Sequence, residues 1–199
     1  YLSHAERSRL AREVHPALAQ RGVPGTHDLN RLFEDIDRLL EGHTGQLSLP
    51  TFNKALDDRS PQGRHIVLDG RPARIILEGW LVGIPPLGQP TAADSPNDEA
   101  MDLLQRYMAS QLSAFHRDFM SRSSSLWTLL APDFTTVCQW RWQQEQDLPR
   151  RMLQSPADVE RFLQPFAIFI DHQLKHAGES ADLLIQLDSD HRPHLQCPP

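Results

Sequence analysis

The sequence predicts a mainly α-helical α+β fold: a bundle-like core of five to seven helices with one small antiparallel β-ribbon. Three observations carry that expectation. Ser95–Arg122 is a long amphipathic stretch whose Met101, Leu104, Met108, Leu112, Phe115 and Phe119 recur at helical spacing. The start Ser95-Pro96-x-Asp98 is repeated at Ser155-Pro156-x-Asp158, with an N-cap serine, a proline at the first helical position and an acid completing the box. Between residues 64 and 82 the period shortens to that of strands. Burying the six apolar side chains of the long stretch is worth on the order of 10 kcal/mol before entropy, so the remaining elements are expected to pack around it.

Taken in order, Ser3 and Glu6 form a capping box ahead of Leu10, Val14 and Leu18, and Pro16 should end or kink that helix near His15. Arg21–Gly25 reads as a loop. Thr26 and Asp28 open a second helix with Leu29, Leu32, Phe33, Ile36, Leu39 and Leu40 on one face, stopped by Gly42. Gly45–Leu56 resembles the second half of a calcium-binding helix–loop–helix, but Leu40, Gly42, Thr44 and Thr51 fall where its oxygen ligands belong. The segment therefore reads as a turn and a short helix begun by Pro50. Arg64–Leu68 and Arg74–Leu77 are β-prone runs about the turn Asp69-Gly70-Arg71-Pro72, and Glu78-Gly79 reads as a turn or bulge before Trp80–Val82. Leu126, Trp127, Leu129 and Leu130 suggest a helical turn, and Asp133 caps the next helix. Pro165 should kink the last helical run or start a new helix, and residues 181–187 make a final strand. The implied organisation is an N-terminal helical lobe ending in the ribbon (1–83), a Pro-rich linker (84–94), a C-terminal helical lobe (95–187) and a flexible tail (188–199), the two lobes forming one globule.

Composition narrows the function classes. The 199 residues carry a net charge of −6 with acids and bases well mixed, so no basic face recommends nucleic acid. The longest apolar run, Phe166–Ile170, is far too short to span a membrane. Two cysteines make no disulfide framework, which fits a reducing, cytoplasmic compartment. Eighteen of the 20 basic residues are arginine, which suggests a bacterial source. Because the sequence opens on Tyr1, it is expected to be a fragment of a longer protein, and secretion is left open.

Candidate chemistry is sparse. His172 and His176 are spaced i, i+4 on one helix face, as zinc helices place them, but the intervening glutamate of the zinc-protease motif is missing. His116 could join them across packed helices. Asp188 and Asp190 alternate after a strand, a pattern that holds Mg²⁺ elsewhere. Cys138 lies on an apolar helix flank, and no G-x-x-x-x-G-K-[ST] or G-x-G-x-x-G run is present. Trp140-Arg141-Trp142 stands out, because tryptophans two apart on a helix face different ways and one of them suits an interface. The reading that follows is a non-enzymatic interaction or regulatory domain, without cofactor, holding a protein partner through Trp140, Arg141 and Trp142. The alternative is an enzyme with a dispersed site drawn from His116, His172, His176, Asp188 and Asp190.

Overall fold

The computed structural model describes residues 1–88, 99–149 and 151–196. Ser95, Pro96, Asp98, most of the Pro-rich segment, Arg150 and Cys197 lie outside the described residues. The helices start where local chemistry directs. α1 (His4–Glu13) begins at a full capping box, with the Ser3 hydroxyl accepting from the Glu6 amide and the Glu6 carboxylate from the Ser3 amide. It gives way to a 3₁₀ turn led by Pro16. α2 (Leu29–Leu40) is capped by Asp28. Downstream, α3 (Glu99–Met120) is the long helix, α4 (Phe134–Gln146) is capped by Asp133 and α5 (Pro156–Leu163) by Ser155. Pro165 sits in a 3₁₀ turn from which α6 (Ala167–His176) continues, so the proline breaks the run rather than bending it.

The β structure departs from the expectation. β1 (Thr44–Leu49) replaces the turn and short helix, and it pairs antiparallel with β4 (Arg64–Asp69), from Thr44 opposite Asp69 to Leu49 opposite Arg64. The expected partner of residues 64–68, Arg74–Leu77, is not a strand here, nor is Trp80–Val82. β2 (Phe52–Asn53) and β3 (Asp58–Arg59) form a second small pair. A third sheet holds β5 (Trp127–Leu130), β6 (Leu183–Leu187) and β7 (Pro193–Gln196), with β5–β6 parallel and β6–β7 antiparallel. Residues 127–130 were expected to be helical because their leucines fit that period. Burial alternates instead, with Thr128 and Leu130 inside and Trp127 and Leu129 outside, the period of a strand. The parallel pair encloses α4, α5 and α6 in one crossover, which a helical bundle with a lone ribbon does not contain.

α3 supplies both hydrophobic cores. Its Leu104, Met108, Ala109 and Leu112 pack with Leu18, Val23, Leu81, Ile84 and the apolar faces of α5 and α6. Its last turns bring Phe115 and Phe119 against Phe33 of α2 and Leu126, the residue before β5. The segment 77–84 runs between the two, with Leu81 and Ile84 in the first core and Leu77 and Val82 on the second.

Candidate active site around Trp80

Two loops and four helices, α2 to α5, build the site. The loop Arg21-Gly22-Val23-Pro24-Gly25-Thr26-His27-Asp28 turns sharply. Thr26 is buried, its hydroxyl donating to the Val23 carbonyl (2.7 Å) and accepting from the Gly22 amide (3.0 Å). Gly25 has φ +93° and lies so near Tyr107 of α3 that a Cβ there would come within 2.4 Å of the ring. Behind this loop Arg7 is fully buried. Its guanidinium donates to the carbonyls of Leu2 (2.6 Å), Ala19 (3.1 Å) and Asp57 (2.7 Å) and to the Asp57 carboxylate (2.6 Å). The other oxygen of that carboxylate accepts from Arg21 at 2.5 Å, so one buried arginine ties α1 and the β2–β3 connection to the loop. The second loop, Leu77-Glu78-Gly79-Trp80-Leu81-Val82, carries Leu81 at φ +60°, a left-handed conformation that a leucine seldom adopts. The buried Leu81 side chain anchors it in the first core.

Trp80 and Gly22 line two adjacent cavities. The smaller, about 290 Å³, is walled by both loops, by Leu29 and Leu32 of α2, and by Gln111, Leu112 and Phe115 of α3. Glu78 is its one carboxylate and His27 its one imidazole among the described lining residues. Glu78 is exposed. His27 is exposed on one side, while its ring packs under Tyr1 (centroids 4.9 Å), and the water lost on that side lowers its pKa from 6.5 to about 4. Both residues line the same cavity, where the imidazole, uncharged at neutral pH, offers one hydrogen-bond donor and one acceptor. The larger cavity, about 680 Å³, lies between the Arg21–Val23 turn and helices α4 and α5, within the size range of small-molecule sites. Trp80 meets Phe166 edge-on there (5.0 Å), and Trp140 stacks on His191 (4.2 Å).

The chain is similar to several kinases. It is 26% identical over 169 residues to the uncharacterized kinase mug58 of Schizosaccharomyces pombe, matching 80% of this chain and 61% of that protein. It is 27% identical over 215 residues to the probable ATP-dependent kinase TDA10 of Saccharomyces cerevisiae (96% and 71%). It is 25% identical over 197 residues to the chloroplastic D-glycerate 3-kinase of Arabidopsis thaliana (89% and 41%). Among solved structures, the YGR205w protein superposes with a TM-score of 0.69 at 23% identity, over 99% of this chain and 75% of that one. The D-glycerate 3-kinase of Cryptococcus neoformans gives 0.65 at 20% identity, over 99% and 76%. No family model matches the chain.

These findings correct three expectations. The fold is that of the YGR205w protein and the fungal glycerate kinase, with several small sheets, and not a helical bundle with one ribbon. The non-enzymatic interaction or regulatory reading gives way, because the relatives are kinases. The bacterial assignment gives way as well, since they come from yeasts and a plant; arginine usage reports on codon composition and carries no physical constraint.

The residues singled out from the sequence are placed as follows. Trp140 and Arg141 line the larger cavity, whereas Trp142 packs on the periphery of the first core with Arg151 over its ring at 6.0 Å. Arg141 is ion-paired to Glu145, whose fully buried carboxylate also accepts from the amides of Met152 and Leu153. His172 and His176 do adjoin (ring centroids 4.5 Å), but His176 is bonded to Glu179 at 2.7 Å. His116 lies on α3 with a buried Nδ1 that has no hydrogen-bond partner among the described residues. Asp188 closes its own loop, accepting from the amides of Asp190 and Arg192 (2.9 Å each). Among the described residues no three of these ligand types converge as a metal site. Glu78 and His27 carried no local motif. The glycines and proline around them signalled only turns, although a glutamate and a tryptophan flanking one glycine on a loop is the kind of polar–aromatic pairing that sites use.

Proposed function

We propose that this chain forms the acceptor side of an ATP-dependent kinase that phosphorylates a hydroxyl of a small molecule. The observation that carries the reading is the similarity to two kinases over 80% and 96% of the chain. The chain spans 61% of the length of one of these, 71% of the other and 41% of the plant enzyme. The geometry around Trp80 supports the same reading.

Phosphoryl transfer needs a carboxylate that orients the attacking hydroxyl and takes up its proton. Glu78 supplies one in the smaller cavity. The acceptor oxygen attacks the γ-phosphorus, a new P–O bond forms as the bond to the β-phosphate oxygen breaks, the hydroxyl proton passes to Glu78, and ADP departs. His27, uncharged at neutral pH, can accept or donate a hydrogen bond to the acceptor without repelling a cation. The apolar walls from Leu29, Leu32, Leu112 and Phe115 exclude water that would otherwise take the phosphoryl group. The sequence has no G-x-x-x-x-G-K-[ST] run, so the reading assigns it no phosphate-cradling loop of that kind. D-glycerate, named for two of the similar proteins, is the first acceptor to test. The test is ADP release by the protein expressed from its full reading frame, with ATP and a panel of hydroxy acids and polyols. Acceptor-dependent ADP release is expected. ATP left intact with every acceptor would overturn the reading.

A further inference from the structure

The kinase reading uses the smaller cavity and leaves the larger one without an occupant. Its walls are aromatic on two sides: Trp80, held edge-on against Phe166 (5.0 Å, 71°), and Trp140, stacked on His191 (4.2 Å, 25°). The Trp140 indole N–H is already used, donating to the Ser189 carbonyl at 3.1 Å, so what this residue offers is its ring face. His191 is held at φ +63°, a conformation that costs energy outside glycine and that keeps its ring against Trp140.

The charges of this cavity argue against an anion. Both arginines lining it are committed, Arg21 to Asp57 and Arg141 to Glu145, and Asp147 adds a negative charge. The remaining polar groups include the exposed amides of Gln143 and Gln144, each with a donor and an acceptor. Flat apolar walls with an amide edge suit a flat, neutral ring that itself alternates donors and acceptors.

We propose that the larger cavity binds a planar heteroaromatic ring of the nucleobase type, seated against Trp80 and Trp140 and read at its edge by Gln143 and Gln144. This goes beyond the kinase reading and does not depend on it. The ring can belong to the nucleotide donor or to the acceptor, and one experiment separates the two.

Adenosine, guanosine, cytidine and uridine are titrated into the whole protein by calorimetry. At least one is expected to bind. Trp140→Leu should weaken it about ten-fold or more, the loss of one base–aromatic stack, while Trp140→Phe should retain most of the affinity. Gln144→Leu, a change at an exposed side chain, should alter the preference among the four nucleosides. Displacement of the bound nucleoside by ADP assigns the ring to the donor; its conversion to a phosphate in the presence of ATP assigns it to the acceptor. Absence of binding by all four up to millimolar concentration, or unchanged binding by folded Trp140→Leu, would overturn the proposal. Nucleoside binding in a protein that never consumes ATP would sink the kinase reading and leave this one standing. The converse result, acceptor-dependent ATP consumption without any role for Trp140, would sink this one alone.

Discussion

Replacing Arg7 with methionine tests whether the wall behind both cavities is held by one buried guanidinium. Methionine keeps much of the length and apolar stem but removes the donors to three carbonyls and to the Asp57 carboxylate. Arg7 is fully buried, whereas Asp57 is partly exposed and keeps Arg21, so the loss falls chiefly on the carbonyls left without a donor. Counting the three orphaned carbonyls at about 1 kcal/mol each gives a cost of about 3 kcal/mol. For a protein of this size about 2–4 °C of melting temperature is lost per kcal/mol, so Arg7→Met should melt about 6–12 °C below wild type by circular dichroism. Asp57 is partly exposed and keeps Arg21 as a partner, so Arg7→Met should cost more than Asp57→Asn. The deficit should largely persist in high salt, because three of the four lost partners are neutral carbonyls. A melting temperature within about 2 °C of wild type would refute the claim that this network fixes the loop.

Three further outcomes follow from the geometry. Gly25→Ala combines a left-handed φ with a clash against Tyr107, and should destabilise by about 1–3 kcal/mol and lower activity, read by denaturant melts and ADP release; an alanine variant as stable as wild type would contradict the loop's described path. His27 should titrate by NMR well below 6.5; since the unfolded chain then binds the proton first, its contribution to stability is complete above about pH 6.5 and is lost as the pH falls toward about 4, and an ordinary or raised value would refute the packed ring. Burial first, and the nearby Glu160 second, push the Cys138 thiol above its ordinary pKa, so peptide mass spectrometry should find it alkylated at pH 7 more slowly than a free cysteine; rapid labelling would place it in a different environment.

The helices were legible because their signals are local. The Ser3–Glu6 box, the Asp28 and Ser155 caps, the apolar stripe of α3 and the break at Pro165 are each settled within a few residues. The mixed sheet was not, because β5 and β6 pair across 56 positions, from Trp127 opposite Leu183 onward. A four-residue run such as Trp-Thr-Leu-Leu satisfies both helical and strand periods, and only the burial of Thr128 decides between them. β1 was hidden for a related reason: Gly45 and Pro50 punctuate it as a turn, while its pairing with β4 overrides that punctuation. The site is less legible still. Glu78 and His27 stand 51 positions apart and line one cavity, with Leu81 lying in one core and Leu77 on the other. The members of the conspicuous Trp140-Arg141-Trp142 segment divide, with Trp140 and Arg141 lining a cavity and Trp142 packing on the core.

The most direct measurement is the steady-state kinetics of Glu78→Gln in the whole protein beside wild type, with ADP release and melting temperature followed on the same preparations. Glu78 is exposed, so the variant should melt with wild type. Its kcat should fall by about 10²–10⁴, the range for losing a general base, with the KM for ATP nearly unchanged. A folded Glu78→Gln enzyme that turns over at the wild-type rate would contradict the assignment of this cavity as the site of transfer.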